Sequence, residues 1–440
     1  MNLRAIGLTG AALTTALLLG ACGDGDSKAT ATTTLVTAPQ SERVDLGEPI
    51  FSDPTKITNP RFPISELTQV IQLGEEAGAA LRFEITLLPD TKVIAWDGKQ
   101  VETRVSQFVG YEDGRVKEVA VDFLAQADDG AVWYFGEDVT NYDDGVVANH
   151  DGTWLAGKDG PPGMIMPADP KAGDVYRPEN IPGLVFEEVT VKAVAQTVDG
   201  PRAPVPGAIL IQERLMDGTL EDKTFAPGYG EFKFEVPSEK ELVDLALAVP
   251  TDAVAEPVPA ELSTLSTGAA GIFRAAGSDQ WDAATSTLKT LTDAGAAFAT
   301  RTAPKLLDAQ LSAAIDVLSS AVGDRDAAVT QQAAIDVAHA SLDLQLQYQT
   351  AAEVDRARLD LWARQVILDR AGDSIGNVAG DVVILDTIWT RMGHTVDGAG
   401  QTAIKAHLDD LGAAVKSKDL DAAANAAAAL QSTLALSSGA

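Results

Sequence analysis

Cysteine is nearly absent from this chain of 440 residues, which contains Cys22 and no other cysteine. An intramolecular disulfide is therefore excluded, and so is a structural zinc site built from several thiolates. Histidine is also rare, and His339, His394 and His407 fall on three different predicted helices. Because the helical region contains no Glu-x-x-His pair, the sequence predicts no metal site there.

Basic side chains are scarce as well. The chain has 33 Lys and Arg residues against 64 Asp and Glu residues, a formal net charge of −31. A surface of this sign repels phosphate backbones, so the composition argues against nucleic-acid binding. It also disfavours adhesion to anionic lipid by charge alone. Solubility explains such a composition better than a specific basic partner does.

Familiar catalytic motifs are missing too. The sequence contains neither Gly-x-Ser-x-Gly nor His-Glu-x-x-His, and no glycine-rich loop indicates a cofactor. We therefore predict a protein that is not an enzyme and that carries no cofactor. A hydrolase remains an alternative, because paired carboxylates on strands leave no sequence signature.

The N-terminus carries the clearest signal in the sequence. Arg4 precedes an apolar run from Ala5 to Leu19, which is too short to span a bilayer as a helix. The run ends in Leu19-Gly20-Ala21-Cys22, which resembles the lipobox of bacterial lipoproteins. The resemblance implies that residues 1–21 are a signal peptide and that Cys22 carries a lipid. We expect residues 22–49 to be a flexible tether on the extracytoplasmic face of the cell membrane or outer membrane.

Residues 50–236 show the pattern of antiparallel strands. Short runs alternate between polar and apolar residues, and Asp-Gly pairs such as Asp97-Gly98 and Asp113-Gly114 separate them. Tight hairpins need a positive φ, which Gly adopts freely and Asp tolerates. Because the runs recur about every ten residues, we predict one curved antiparallel sheet or a half-open barrel.

Four sequence blocks stand out in this region. They are Val132 to Val139, Gly152 to Gly160, Gly163 to Glu179, and Phe225 to Gly230. Together with the opening Asn59-Pro60-Arg61-Phe62-Pro63, they resemble, in the same order, a family of exported bacterial proteins. The resemblance covers about residues 58–236 and implies a shared domain without implying an activity. The segment Ile64 to Val70 departs from the family's aromatic-rich stretch, so we expect the first strand to differ.

Aromatic and sulfur side chains in these blocks are the candidates for a binding site. Trp133, Tyr134 and Trp154 could line a concave face and stack on an apolar or sugar ligand, with Met166 beside them. Core packing is the simpler interpretation of all four residues. The pair Met164 and Met166 offers soft sulfur ligands, but apolar plugs on a sheet fit it better.

From Glu261 onwards, apolar residues recur at helical spacing and Ala dominates. We predict a proline-rich linker at 237–259 and an all-helical bundle at 260–440. Four helix starts with an Asp N-cap are expected at Asp279, Asp324, Asp373 and Asp419. Their spacing of 45 to 49 residues predicts helix pairs, seven or eight helices in all. Arg356, Arg358 and Arg364 are expected to form surface ion pairs with Asp360 and its neighbours, with docking of an acidic ligand as the alternative.

The sequence therefore predicts an α+β, multidomain protein with an N-terminal antiparallel sheet followed by a helical bundle. The leading functional hypothesis is a cell-envelope lipoprotein that acts as a non-enzymatic interaction or ligand-binding module. Its partners would be the membrane, through the lipid, and an apolar small molecule or an envelope protein. The alternative is a periplasmic-type carrier that holds a lipid in the curved sheet.

Overall fold

A computed structural model describes residues 37–253 and 256–436 of the chain. The predicted signal peptide and Cys22 lie outside these residues. The described part contains an open, curved antiparallel sheet of 15 strands, followed by eight α-helices. This arrangement confirms the predicted fold class.

The strands follow one another through short turns. They are β1 (Leu67–Glu76), β2 (Ala79–Trp96), β3 (Lys99–Glu112), β4 (Arg115–Gln126), β5 (Val132–Asp143), β6 (Val146–Asn149), β7 (Trp154–Leu155), β8 (Gly163–Met166), β9 (Val175–Tyr176), β10 (Asn180–Ile181), β11 (Val185–Val198), β12 (Val205–Leu215), β13 (Leu220–Ala226), β14 (Gly230–Val236) and β15 (Glu241–Pro250). Short 3₁₀ helices lie at Gln40–Glu42, Ile64–Glu66 and Gly393–Thr395.

The order of strands across the sheet is β10-β11-β12-β13-β14-β15-β1-β2-β3-β4-β5-β6. The strands that come first and last in the chain, β1 and β15, thus pair with each other near the middle of the sheet. Strands β7 and β8 pair with β5 near one end, whereas β9 and β10 pair with β11 near the other. The proline-rich segment that contains these four short strands therefore links the two ends of the sheet.

Three hairpins turn on the Asp-Gly pairs that the sequence marks. Both residues of Asp97-Gly98, Asp113-Gly114 and Asp144-Gly145 have positive φ, between 48° and 74°. These values belong to the two-residue turn whose twist matches that of the flanking strands. The turn dipeptides therefore set the register of β2 with β3, β3 with β4, and β5 with β6.

One boundary prediction is wrong. The linker predicted at 237–259 contains β15, which pairs with β14 on one side and with β1 on the other. Its run of alternating residues, with Val243 and Leu245 buried, has the period of a strand. Pro250 is the last residue of β15 and Pro237 precedes the strand, so neither proline interrupts its interior.

The eight helices form four hairpins. They are α1 (Ala260–Ala276), α2 (Trp281–Phe298), α3 (Lys305–Asp324), α4 (Ala327–Gln345), α5 (Ala351–Ala371), α6 (Ile375–Met392), α7 (Gly398–Ser417) and α8 (Leu420–Leu436). Helix α1 packs on α4 as α5 packs on α8. Corresponding helices of the two halves begin 91 to 94 residues apart (351 − 260, 375 − 281, 398 − 305, 420 − 327). The helical region thus consists of two successive four-helix units with similar helix spacing.

The predicted Asp N-caps are correct at one position of four. Asp419 accepts a hydrogen bond from the backbone of Ala422 and caps α8. Asp279 and Asp373 instead adopt positive φ in the turn that ends the preceding helix. Asp324 is the last residue of α3, and Asp326 caps α4 by accepting from the Val329 amide. Asp serves both ends of these turns because it tolerates the left-handed conformation as well as capping.

Helices cover one face of the sheet, and a cavity lies on the other. On β1, Ile71 packs into the core of α1–α4, whereas its neighbours Val70 and Gln72 line the cavity. On β3, Val109 and Tyr111 pack against α5–α8. We call the two sides the outer face and the inner face.

A buried charge network joins the outer face to the helices. It consists of Arg82, Glu84, Asp343, Asp355, Arg358 and Arg391. Arg82 and Arg358 both contact Asp343, each at 2.7 Å, and Arg391 bridges Asp355 at 2.7 Å and Glu84 at 2.9 Å. Three guanidinium groups thus meet three carboxylates where sheet and helices touch. The neighbouring arginines keep the pKa of Glu84 well below its usual value against the opposing effect of burial.

This network corrects the expectation for the arginine-rich helix. The side chain of Arg358 is 1% exposed and is not part of a surface ion pair. Arg364 does form the predicted pair four residues away, at 2.6 Å from Asp360. The i, i+4 spacing alone could not reveal that Arg358 donates hydrogen bonds to Asp343 on α4 and Gln69 on β1.

Within the described residues, α3 is long and apolar enough to cross a membrane by length and composition, with a mean hydropathy of 1.2. It packs in the first helical unit through Leu307, Leu311 and Leu318, which are buried.

Candidate functional site

A cavity of about 110 Å³ lies on the inner face of the sheet. Its wall is mostly apolar, and β1, β3, β4, β11 and β12 each contribute a side chain that points inward by strand alternation. These side chains are Val70, Phe108, Leu124, Val189 and Ile211. Phe62 and Ile64, from the segment before β1, and Ile165, from β8, complete the wall.

Polar groups interrupt the apolar wall, in one patch of Gln72, Glu213, Lys223 and Glu231 and, apart from it, at Asp122. The Lys223 ammonium lies 2.5 Å from the Glu213 carboxylate and 3.4 Å from that of Glu221. Nε2 of Gln72 donates to the backbone and side-chain oxygens of Glu231, at 3.3 Å each. Tyr134 donates its hydroxyl to Asp122 at 2.7 Å. The cavity therefore has an apolar wall with one ionisable patch and a separate carboxyl group.

Several further carboxyl groups lie on the inner face of the sheet. They are the buried Glu118, Glu137, Glu179, Glu187, Glu213 and Glu221 and the half-buried Asp122 and Glu231. Burial raises the pKa of Asp122 to about 6, while the hydrogen bond from Tyr134 opposes the rise. Burial also raises the pKa of Glu231 to about 7, against the pull of Lys223. Carboxyl groups in this state hold a proton at slightly acidic pH and release it near neutrality.

Two of these carboxyls form a pair behind the cavity. Burial raises the pKa values of Glu137 and Glu179 well above the usual range, and a hydrogen bond between the two raises that of Glu137 further. Trp154 donates from Nε1 to Glu179 Oε1 at 2.7 Å. Neither glutamate lines the cavity. The pair therefore ties β5 to the segment that links the ends of the sheet.

The four residues predicted to line a binding face lie in different surroundings. Tyr134 lines the cavity, and its ring meets that of Trp154 edge to face at 5.5 Å. Trp154 is 1% exposed and lies behind Tyr134. Trp133 and Met166 are 6% and 0% exposed and pack in the core that includes Phe135. Of the four, Tyr134 is thus the residue within reach of a ligand in this cavity.

Comparison with protein-family models and with curated proteins finds no match to this chain. The function must therefore be argued from the cavity itself.

Sequence reasoning missed the glutamates of the inner face. Glu231 sits at a position that looks like the solvent-facing half of a strand pattern, because its neighbours Phe232 and Phe234 are the buried residues. A signal was present, because Glu213 and Lys223 lie on neighbouring strands with Ile211 opposite Lys223 in the register. An alternation of Ile209, Ile211 and Glu213 places that glutamate on the same face as two buried apolar residues.

Potential metal ligands lie away from the cavity. Among the described residues, Glu76, Glu239 and Glu241 form the one group of three or more whose ligand atoms lie within 4.8 Å of one another. Burial raises the pKa of Glu241 to about 8, and the charges of Glu76, Glu221 and Glu239 add to the rise. His339 packs its ring against Trp362 at 5.4 Å, and His407 contacts Thr433.

Proposed function

We propose that this protein is a cell-envelope lipoprotein that binds a small, mostly apolar ligand in the curved sheet and leaves it chemically unchanged. The observation that carries the proposal is the cavity on the inner face, whose wall is apolar over most of its area. Concave apolar sites with a few polar groups are the usual form of ligand pockets.

The size of the cavity sets the class of ligand. A cavity of about 150 Å³ holds one benzene ring, and the volume here is about 110 Å³. This space suits a ring or the end of one alkyl chain and favours such a ligand over a whole diacyl lipid. A carrier of bulky lipids is therefore the weaker alternative.

The pair Glu137 and Glu179 is not placed for hydrolysis of a ligand in the cavity. Hydrolysis by a carboxylate pair needs both groups beside the substrate. Glu137 and Glu179 are 2% and 0% exposed and lie outside the cavity wall. They serve better as a structural tie than as an acid and a base.

Filling the cavity tests the proposal. Val189→Phe adds a ring to the wall, and the matched control Val147→Phe adds the same ring on β6, where Val147 is 51% exposed. A ligand that buries about 100 Å² of apolar surface gains about 2.5 kcal/mol. Excluding it should weaken binding of octanol, measured by calorimetric titration, more than tenfold. Equal binding by parent and both variants would contradict the proposal.

The lipid anchor is proposed from the LGAC motif at Cys22. A Cys22→Ser variant should lose labelling with radioactive palmitate and should no longer partition into detergent. Continued labelling of the variant would show that the anchor lies elsewhere.

A further inference from the structure

The polar patch of the cavity consists mainly of hydrogen-bond acceptors. Gln72 is 0% exposed, and its Oε1 has no hydrogen-bond partner among the described residues. The orientation of its amide is fixed, because Nε2 faces two oxygens of Glu231. A buried carbonyl oxygen without a donor costs about 1–3 kcal/mol, so a ligand that brings a donor gains this amount.

The charge around the patch has one dominant sign. Four of the inner-face carboxyls, those of Glu187, Glu213, Glu221 and Glu231, raise the pKa of the single ammonium, that of Lys223, against the effect of burial, and Lys223 already contacts Glu213 and Glu221. A second anion placed here would meet further carboxyls. A cation would instead find Glu231, which accepts from Gln72 and can give up its proton near neutral pH.

Aromatic rings on the wall suit a cation as well. Phe62, Phe108, Phe225, Tyr134 and Tyr229 all line the same cavity. The face of an aromatic ring attracts an ammonium within about 6 Å of its centre. One small cavity thus combines apolar walls, ring faces, carboxyl groups and an unpaired acceptor.

We propose that the ligand of this cavity is an organic amine, whose apolar body lies against the wall and whose ammonium lies beside Gln72 Oε1 and the Glu231 carboxylate. This inference rests on the proposed function, because it names the class of ligand for the same site. Fatty acids and other anions are the class that the site rejects.

Three ligands with one tail test the proposal. Octylamine, octanol and octanoate carry the same alkyl chain and differ in the charge of the head group. Calorimetric titration of the full chain at pH 7.5 should show octylamine binding at least about tenfold more tightly than octanol, since hydrogen bonds to charged groups are the stronger ones. Octanoate should bind most weakly of the three.

Variants locate the effect. Glu231→Gln should remove most of the advantage of octylamine and leave octanol unchanged. Asp222→Asn is the control, because Asp222 is an exposed residue of β13. If Glu231→Gln fails to fold, Gln72→Leu removes the unpaired carbonyl oxygen and should reduce the same advantage. Val189→Phe should abolish binding of all the ligands.

The outcomes separate the two proposals. If octanol binds and octylamine binds no more tightly, or if octanoate binds best, the amine proposal is overturned while ligand binding in the cavity stands. If none of the three binds, the proposed function fails, and the amine proposal fails with it.

Discussion

Removing Arg358 should destabilise the protein strongly, because its guanidinium lies at the centre of the sheet–helix charge network. It contacts Asp343 at 2.7 Å and Asp355 at 3.0 Å, and it donates to Gln69 Oε1 at 3.1 Å. Arg358→Met keeps most of the apolar volume but leaves three carboxylates facing two guanidinium groups. Breaking a buried ion pair in this way costs about 3–5 kcal/mol.

The lower end of that range is the better estimate here. Asp343 keeps its contact with Arg82 at 2.7 Å, and Asp355 keeps Arg391 at 2.7 Å. No carboxylate is therefore left entirely without a partner. We expect the free energy of unfolding to fall by about 3 kcal/mol, measured by urea unfolding followed by circular dichroism and by tryptophan fluorescence.

Arg364 provides the matched control on the same helix. Its side chain is 21% exposed and pairs with Asp360 alone in the described part of the chain. Arg364→Met should cost less than about 1 kcal/mol, as partly exposed pairs do. The reasoning is refuted if Arg358→Met is as stable as the parent, or if both variants lose the same stability.

Two further predictions concern stability. Gly145→Ala should lower the free energy of unfolding by about 2–5 kcal/mol, because the new Cβ would lie 1.9 Å from the backbone oxygen of Gly376 in α6, at a φ of +69°. Gly114→Ala is the control, because its φ is +74° with open space around it, and it should cost only about 1–2 kcal/mol. Equal losses of stability in thermal melts of the two variants would contradict the role of the contact between Gly145 and α6. Because burial raises the pKa values of Glu231 to about 7 and of Glu241 to about 8, the folded state binds more protons than the unfolded state between about pH 4.5 and pH 8. The free energy of unfolding should therefore fall by on the order of a few kcal/mol between pH 5 and pH 8, and the urea concentration at the unfolding midpoint should fall with it. A midpoint that rises over this range would contradict the raised pKa values of these two glutamates.

Local signals account for the parts of the fold that the sequence predicts correctly. An Asp-Gly pair fixes a hairpin by its own backbone preferences, so Asp97-Gly98 needs no knowledge of the rest of the chain. The change from period two to helical spacing after Glu261 is similarly local. The spacing of the four Asp-rich turns correctly predicts helix pairs, although three of the four Asp residues are not the N-caps that the sequence predicts.

Long-range contacts decide the parts that could not be predicted. Whether Arg358 is exposed depends on Asp343 and Gln69, which lie 15 and 289 residues away in the chain. Whether Glu231 faces solvent depends on the register shift between β13 and β14 and on the curvature of the sheet. Single-sequence patterns contain neither quantity, so Glu231 became visible as a cavity residue only with the structure, whereas the alternation of β12 could have indicated Glu213.

The pairing of β1 with β15 has a consequence for how the chain reaches its native state. When the chain is synthesised from its N-terminus, one edge of β1 stays unpaired until the residues of β15, up to residue 250, have been made. Bare strand edges invite association with other chains, and distant pairings form slowly. During this interval the chain is exposed to association through that edge, and the exposure ends when β15 pairs with β1.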